Sequence, residues 1–251
     1  MKIGNFLKIL DLEIENYNYD EILNIIKENI SLRRHLSITY INAYIALTAQ
    51  KNSFLKNDLN QFNFLYSDGV GIYWASKFLY SINGLKERIS ATDLNIRIFK
   101  FAQKNKFKIF LFGGGEKAVD ALRQNLEKKN AKSSIVGIIE RDLSFNEQIL
   151  EKINQSNADI IFLGLGTPYQ EKWIATFGQR CNIRIQIAVG SGIDFLSGTY
   201  QRAPKVIQNI GLEWLFRLFS EPKRLWKRYL LGIPHFIFLI IKQKLFTKES
   251  L

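Results

Sequence analysis

Apolar runs alternate with amphipathic stretches along most of the chain, the pattern of strands exchanging with helices around a mostly parallel sheet. Short apolar runs predict buried strands at residues 37–41, 108–112, 134–139, 159–163 and 184–189, and residues 8–14 predict an amino-terminal hairpin. Asn18 with Glu21 three residues later predicts a capping box that opens a helix through Ile30, whose Ile22, Ile25, Ile26 and Ile30 recur at helical spacing. Further helices are expected at 43–50, 71–79, 93–105, 117–129 and 168–177. The fold class is therefore α/β, a mostly parallel sheet flanked by helices.

Composition narrows the class. The chain has 251 residues, 47% hydrophobic and 23% charged, with 4 Pro and 16 Gly, which fits one large folded domain or a domain with an appendage. A lone Cys181 with only His35 and His235 supplies no disulfide and no zinc set, and a reducing, cytoplasmic location fits. Acidic residues interrupt the apolar stretch at the amino terminus, so no export signal is expected. The 35 basic and 23 acidic residues leave a net charge of +12 and point to an anionic partner. Residues 202–251 hold 10 basic and 3 acidic residues, or +7 of that excess.

The tail has a distinct pattern. Pro222 opens an expected helix with Lys223, Arg224, Lys227 and Arg228 on one arc and Leu225, Trp226, Tyr229 and Leu230 on the other. Upstream, Ile207, Ile210, Trp214, Leu215 and Leu218 form a second apolar stripe flanked by Arg217. The apolar run 229–241 has 13 residues, short of the about 20 a spanning helix needs. A basic amphipathic surface at an anionic membrane is the reading favoured over a core-packing helix.

Ligands of such sheets bind beyond the carboxyl ends of the strands, which draws four loops into view. Asp68 follows an apolar run at 62–66 and precedes Gly69; it reads as a turn residue or as a carboxylate able to accept a proton from a hydroxyl. Asp93 and Asp194 compete with it, whereas Asp159 begins a strand and falls at the far edge. The Gly113-Gly114-Gly115 run reads as a tight turn or a phosphate-approaching one, without dinucleotide or P-loop spacing. In the segment GLGTPYQEKW at 164–173, Thr167, Pro168 and Gln170 fit a capped helix start, with Gln170 alternatively aimed at a ligand. The only D-x-E pair, Asp11 and Glu13, lies in the hairpin, so no metal is expected.

Five motifs in order resemble one known family over about residues 37–232: INAY at 41–44, SDGVGIYWASK at 67–77, ERISATDL at 87–94, GLGTPYQEKW, and the long run GTYQRAPKVIQNIGLEWLFRLFSEPKRLWKRYL at 198–230. The chain resembles the WecG/TagA/CpsF glycosyltransferases, bacterial enzymes of polysaccharide, capsule and teichoic acid synthesis. The resemblance implies a Rossmann-like core at residues 1–198 and a membrane-associating appendage at 199–251 that completes the site. It implies inverting, metal-independent transfer, without a cofactor, from a UDP-sugar to a polyprenyl-diphosphate-linked sugar. N-acetylmannosamine or its uronic acid is the best-known donor group.

By the same resemblance Asp68 is the general base. Asn42, Arg88 and Gln170 match family positions around the donor sugar and diphosphate, and Arg217, Arg224 and Arg228 are the candidates for gripping the lipid diphosphate; Tyr40, Asp93, Gly113, Gly114, Gly166, Asp194 and Arg202 complete the expected substrate-binding set. The family often has Thr where this chain has Tyr40, with Thr39 one residue earlier and facing the other way in a strand; Ala91 replaces a usual Gly. The expected place is peripheral on the inner face of the cytoplasmic membrane, without nucleic acid; self-association is left open. The alternative is a non-catalytic membrane-bound scaffold.

Overall fold

The expected hairpin forms from β1 (Phe6–Ile9) and β2 (Leu12–Glu15), which pair antiparallel. In the computed structural model, which describes residues 5–128 and 134–248, α1 (Tyr19–Ser31) follows with its capping box in place. Asn18 Oδ1 accepts from the Glu21 N–H at 2.9 Å and Glu21 Oε2 accepts from the Asn18 N–H at 2.8 Å. Next come β3 (Leu36–Ile41), α2 (Ala43–Lys51), α3 (Ser53–Asn60), β4 (Phe64–Ser67) and α4 (Gly69–Tyr80). α5 (Ala91–Lys104), β5 (Ile109–Gly113), α6 (Glu116–Lys128), β6 (Ile135–Ile139) and α7 (Glu147–Gln155) continue the alternation. Lys129, the expected end of the fourth of those further helices, lies outside the described residues, as do the outer ends of both expected domains.

β7 (Ile160–Gly164), α8 (Tyr169–Phe177), β8 (Ile185–Ala188) and α9 (Gly192–Ser197) complete an eight-stranded sheet of order β1-β2-β4-β3-β8-β7-β5-β6, parallel beyond the hairpin. Alternation along the strands feeds two cores. Phe110, Phe112, Ile161 and Leu163 face one side with α2, α3, α4 and α8; Ile109, Leu111, Ile160 and Phe162 face the other with α1, α5 and α9. β3 and β4 lie side by side at the place where the chain crosses over to β5, so their carboxyl ends open a crevice.

The tail departs from the expected stripe. It forms α10 (Lys205–Asn209) and α11 (Glu213–Ser220), separated by Gly211 at φ 80°, a left-handed conformation that favours glycine and breaks the helix. α12 (Pro222–Trp226) then runs through a π-helical turn at Lys227–Leu231 into α13 (Gly232–Lys248). Burial does not follow the expected two arcs: Leu225 and Tyr229 are buried, while Trp226 and Leu230 are exposed and Arg228 turns inward beside Tyr229.

The helix at Pro222–Phe246 is long and apolar enough to cross a membrane by length and composition, longer than the apolar run suggested. Yet it is fastened along the core. Phe236 and Ile240 are buried, Gln243 Nε2 donates to the Lys8 carbonyl at 2.9 Å, and Lys244 Nζ donates to the Leu79 carbonyl.

Candidate active site

Asp68 ends β4 and caps α4, and the conformation of that turn is set by two backbone bonds: Asp68 N–H to the Ile41 carbonyl and Gly69 N–H to the Ile89 carbonyl, each 2.8 Å. Its carboxyl does not cap its own helix. Oδ1 accepts from the Ala91 N–H at the start of α5, 2.9 Å, and Oδ2 lies 3.4 Å from Asn42 Nδ2. Asn42 is itself the cap of α2, with Oδ1 held by the Ile45 N–H at 3.0 Å, so its amide nitrogen is the end left to face Asp68. The amino termini of α2, α4 and α5 thus converge on one carboxyl, a field that favours negative charge.

Burial works the other way and prevails, lifting the Asp68 carboxyl above the ordinary aspartate range against the bonds from Ala91 and Asn42 and the charges of Arg228 and Arg217. Asp68 lines a cavity of about 760 Å³ that core and tail border together. Asn42, Asp68, Arg88, Asp93, Arg217 and Arg228 all border this space. Arg228 lies 4.7 Å over the Tyr44 ring, and its buried Nε has no partner. Neither Arg217 nor Arg228 forms an ion pair among the described residues.

Other expected site residues are placed differently. Arg88 reaches across to the tail, donating to the Gln208 and Asn209 carbonyls at 3.1 Å each. Arg202 is clamped between Asp93 and Glu213, with an N–H to Glu213 Oε2 of 3.1 Å and a shorter contact to Asp93 Oδ1, so two members of the expected substrate set hold each other. Arg224 is exposed and engaged by Glu221 at 2.6 and 2.7 Å. Arg202→Met is expected to destabilise the fold by about 2 kcal/mol, because Asp93 and Glu213 lose charged hydrogen bonds in a partly buried site. Chemical unfolding and the rate of proteolysis within 199–213 measure it.

The glycine loops lie on the other half of the carboxyl edge, outside that cavity. Gly113, at φ 126°, packs so closely that a Cβ would come within 2.4 Å of the Gly164 carbonyl carbon, and a Cβ on Gly114 would meet Ile193. The tight-turn reading accounts for both. The first amide beyond them, Gly115 N–H, is already taken by Asp194 Oδ1 at 3.1 Å. Gly166, at φ 81°, faces open space. Asp159, as expected, sits at the amino edge, accepting from the Lys108 N–H at 2.7 Å.

Gln170 does not form the expected capping box. It is fully buried, with Oε1 accepting from the Gly190 N–H at 2.8 Å and Nε2 donating to Glu171 Oε1 at 2.9 Å. Glu171, buried and pushed upward in pKa for that reason, also accepts from Thr167 at 3.0 Å and Thr39 at 3.4 Å. Thr39 therefore faces this interior cluster rather than the cleft. Tyr40 packs its hydroxyl where a Cβ on Gly190 would lie 2.3 Å away, with its ring 6.4 Å from Tyr66, behind the cavity wall. The sequence reading missed Tyr44, which meets Arg228, and Arg97, whose guanidinium lies 4.0 Å over the Tyr19 ring at the cavity edge. Position two after Asn42 in the INAY motif was the available signal for Tyr44.

The chain is similar to an N-acetylglucosaminyldiphosphoundecaprenol N-acetyl-beta-D-mannosaminyltransferase of Bacillus subtilis (strain 168), 29% identical over 82% of this chain and 79% of that protein. A protein of the same name from Staphylococcus aureus (strain MW2) is also 29% identical, over 76% of this chain and 74% of its own length. Residues 7–250 match the pattern described as the Glycosyl transferase WecG/TagA/CpsF family. The chain therefore belongs to that family, and it is a glycosyltransferase.

Proposed function

We propose that this enzyme transfers an N-acetylmannosamine-type sugar from a UDP-sugar to N-acetylglucosamine on undecaprenyl diphosphate, with inversion and without a metal. The observation that carries the reading is the Asp68 carboxyl lining a cavity that Arg217 and Arg228 also border, held by Ala91 and Asn42 and raised in pKa by burial. The names of the relatives support the two sugars and the lipid.

In this mechanism the acceptor hydroxyl attacks the anomeric carbon while Asp68 takes its proton, the bond from that carbon to the UDP oxygen breaks, and UDP departs with the electron pair. Charge grows on the leaving diphosphate, and guanidinium donors stabilise it there, the task a metal ion performs in other transferases. Arg228, with a buried Nε–H that has no acceptor, has donors to spare for it, and Arg217 is left for the diphosphate of the acceptor; Arg88 has already engaged two carbonyls with one of its nitrogens. Residues 199–248 close over the cavity and exclude water, since hydrolysis of the donor competes with transfer. Lys223 and Lys227 beside exposed Trp226, Leu230 and Leu231 seat the protein peripherally on the inner face of the cytoplasmic membrane.

The test is product mass. UDP-N-acetylmannosamine and a short-chain lipid-diphosphate N-acetylglucosamine, with EDTA present, should give an acceptor heavier by one N-acetylhexosamine; no product across a panel of UDP-sugars would overturn the reading. The pH profile adds a second check. A base must be ionised, so kcat/KM should fall on the acid side with a single proton, through a pKa above the about 3.9 of free aspartate.

A further inference from the structure

We propose that the outer half of the cavity is a binding groove for the first part of the acceptor's polyprenyl chain, so that the enzyme holds hydrocarbon as well as diphosphate. This rests on the lipid-linked acceptor proposed above. α4 contributes Trp74, Ala75 and Phe78, and α13 contributes Ile233, Ile237 and Ile241, each set on one helical stripe bordering the same space.

A tail helix that packed on the core only for stability would bury this stripe. Phe236 and Ile240 do so, at 4% and 5% exposure, yet their neighbours Ile237 and Ile241 remain 52% and 45% exposed, opposite Trp74 at 63% and Phe78 at 51%. The helices therefore leave a groove with apolar walls and an open mouth, an uncommon way to leave large side chains in water.

The chemistry of the other end of the space names the occupant. There Arg217 carries no ion partner among the described residues. An anionic head joined to an apolar tail matches both ends in one orientation. An extended peptide would bring backbone N–H and C=O groups against walls with nothing to bond them. From Gly71 to Phe78 the groove runs about 10 Å at 1.5 Å per residue, far shorter than a polyprenyl chain, so the remainder leaves by the mouth.

The experiment omits vesicles and keeps acceptors below micelle-forming concentrations. N-acetylglucosaminyl diphosphate esters of methanol and of farnesol are compared by kcat/KM. The wild type should prefer the farnesyl ester by about tenfold or more, given the apolar area a prenyl chain removes from water. Ile237→Glu and, separately, Trp74→Ala should bring the ratio towards one; both positions are exposed enough to fold normally, checked by the unfolding midpoint. Phe219→Glu, 76% exposed on the same tail but outside the cavity, should keep the wild-type ratio.

Equal use of both esters by the wild type, or an unchanged ratio in both groove variants, overturns the groove while leaving the transferase reading intact. Product from neither ester overturns both. A wild-type dimer by light scattering that Ile237→Glu dissolves, with the ratio unaltered, assigns the groove to a second copy instead.

Discussion

Replacing Asp68 by Asn is expected to lower kcat/KM for sugar transfer by about 10²–10⁴-fold, the range for loss of a positioned base, and to raise the unfolding midpoint near neutral pH. The two effects have one cause. Burial lifts the folded-state pKa above the unfolded value, so the carboxyl favours the fold in its protonated form, below the unfolded pKa, and that contribution is lost as pH rises through the folded pKa. At neutral pH the ionised group therefore opposes folding. Asn removes the charge and keeps an oxygen for the Ala91 N–H, giving up only the long 3.4 Å contact with Asn42. Steady-state kinetics and a thermal melt on the same preparation measure both. An unchanged rate would shift the reading to the membrane-bound scaffold or to another base. Asp93 is a poor substitute, since Arg202 holds both of its oxygens. A rate loss accompanied by a lower midpoint would trace the defect to folding.

Much of this frame is legible before any coordinates. A parallel strand buried on both faces leaves a short apolar run, which is why the ends of β3, β5, β7 and β8 each fall within one residue of the expected segments, and the Asn18 box fixes where α1 begins. The position of Asp68 at a strand end is equally readable. What sequence cannot supply is which partner a polar side chain meets across the fold. Gln170 has good local credentials as a capping residue, yet a bond to Gly190, twenty residues away, and another to Glu171 draw it into the interior. Arg202 reads as a substrate-binding residue until α5 and α11 bring Asp93 and Glu213 to it. The tail pattern fails for a local reason. A constant 100° per residue assumes an unbroken α-helix, and Gly211 interrupts the stripe expected at 207–218.

Arg228 turns inward beside Tyr229, and Arg228→Ala is expected to lower kcat by about 10²–10³-fold, the loss seen when one donor to a developing oxyanion is removed. Three features single this arginine out from its neighbours. Its Nε–H is buried with no acceptor, its guanidinium is steadied 4.7 Å over Tyr44, and its charge reaches Asp68. Lysine supplies a charge but neither the Nε donor nor a plane to stack, so Arg228→Lys should recover only a small part of the rate. Arg224→Ala is the control: exposed and paired with Glu221, it should change kcat by no more than about twofold, as surface substitutions do. The division between parameters tests the assignment. A donor acting on the departing UDP oxygen lowers kcat, whereas one that only grips the bound lipid diphosphate raises KM and leaves kcat alone. A pure KM effect would therefore move Arg228 from the leaving group to the acceptor, and no effect on either parameter would remove it from the site.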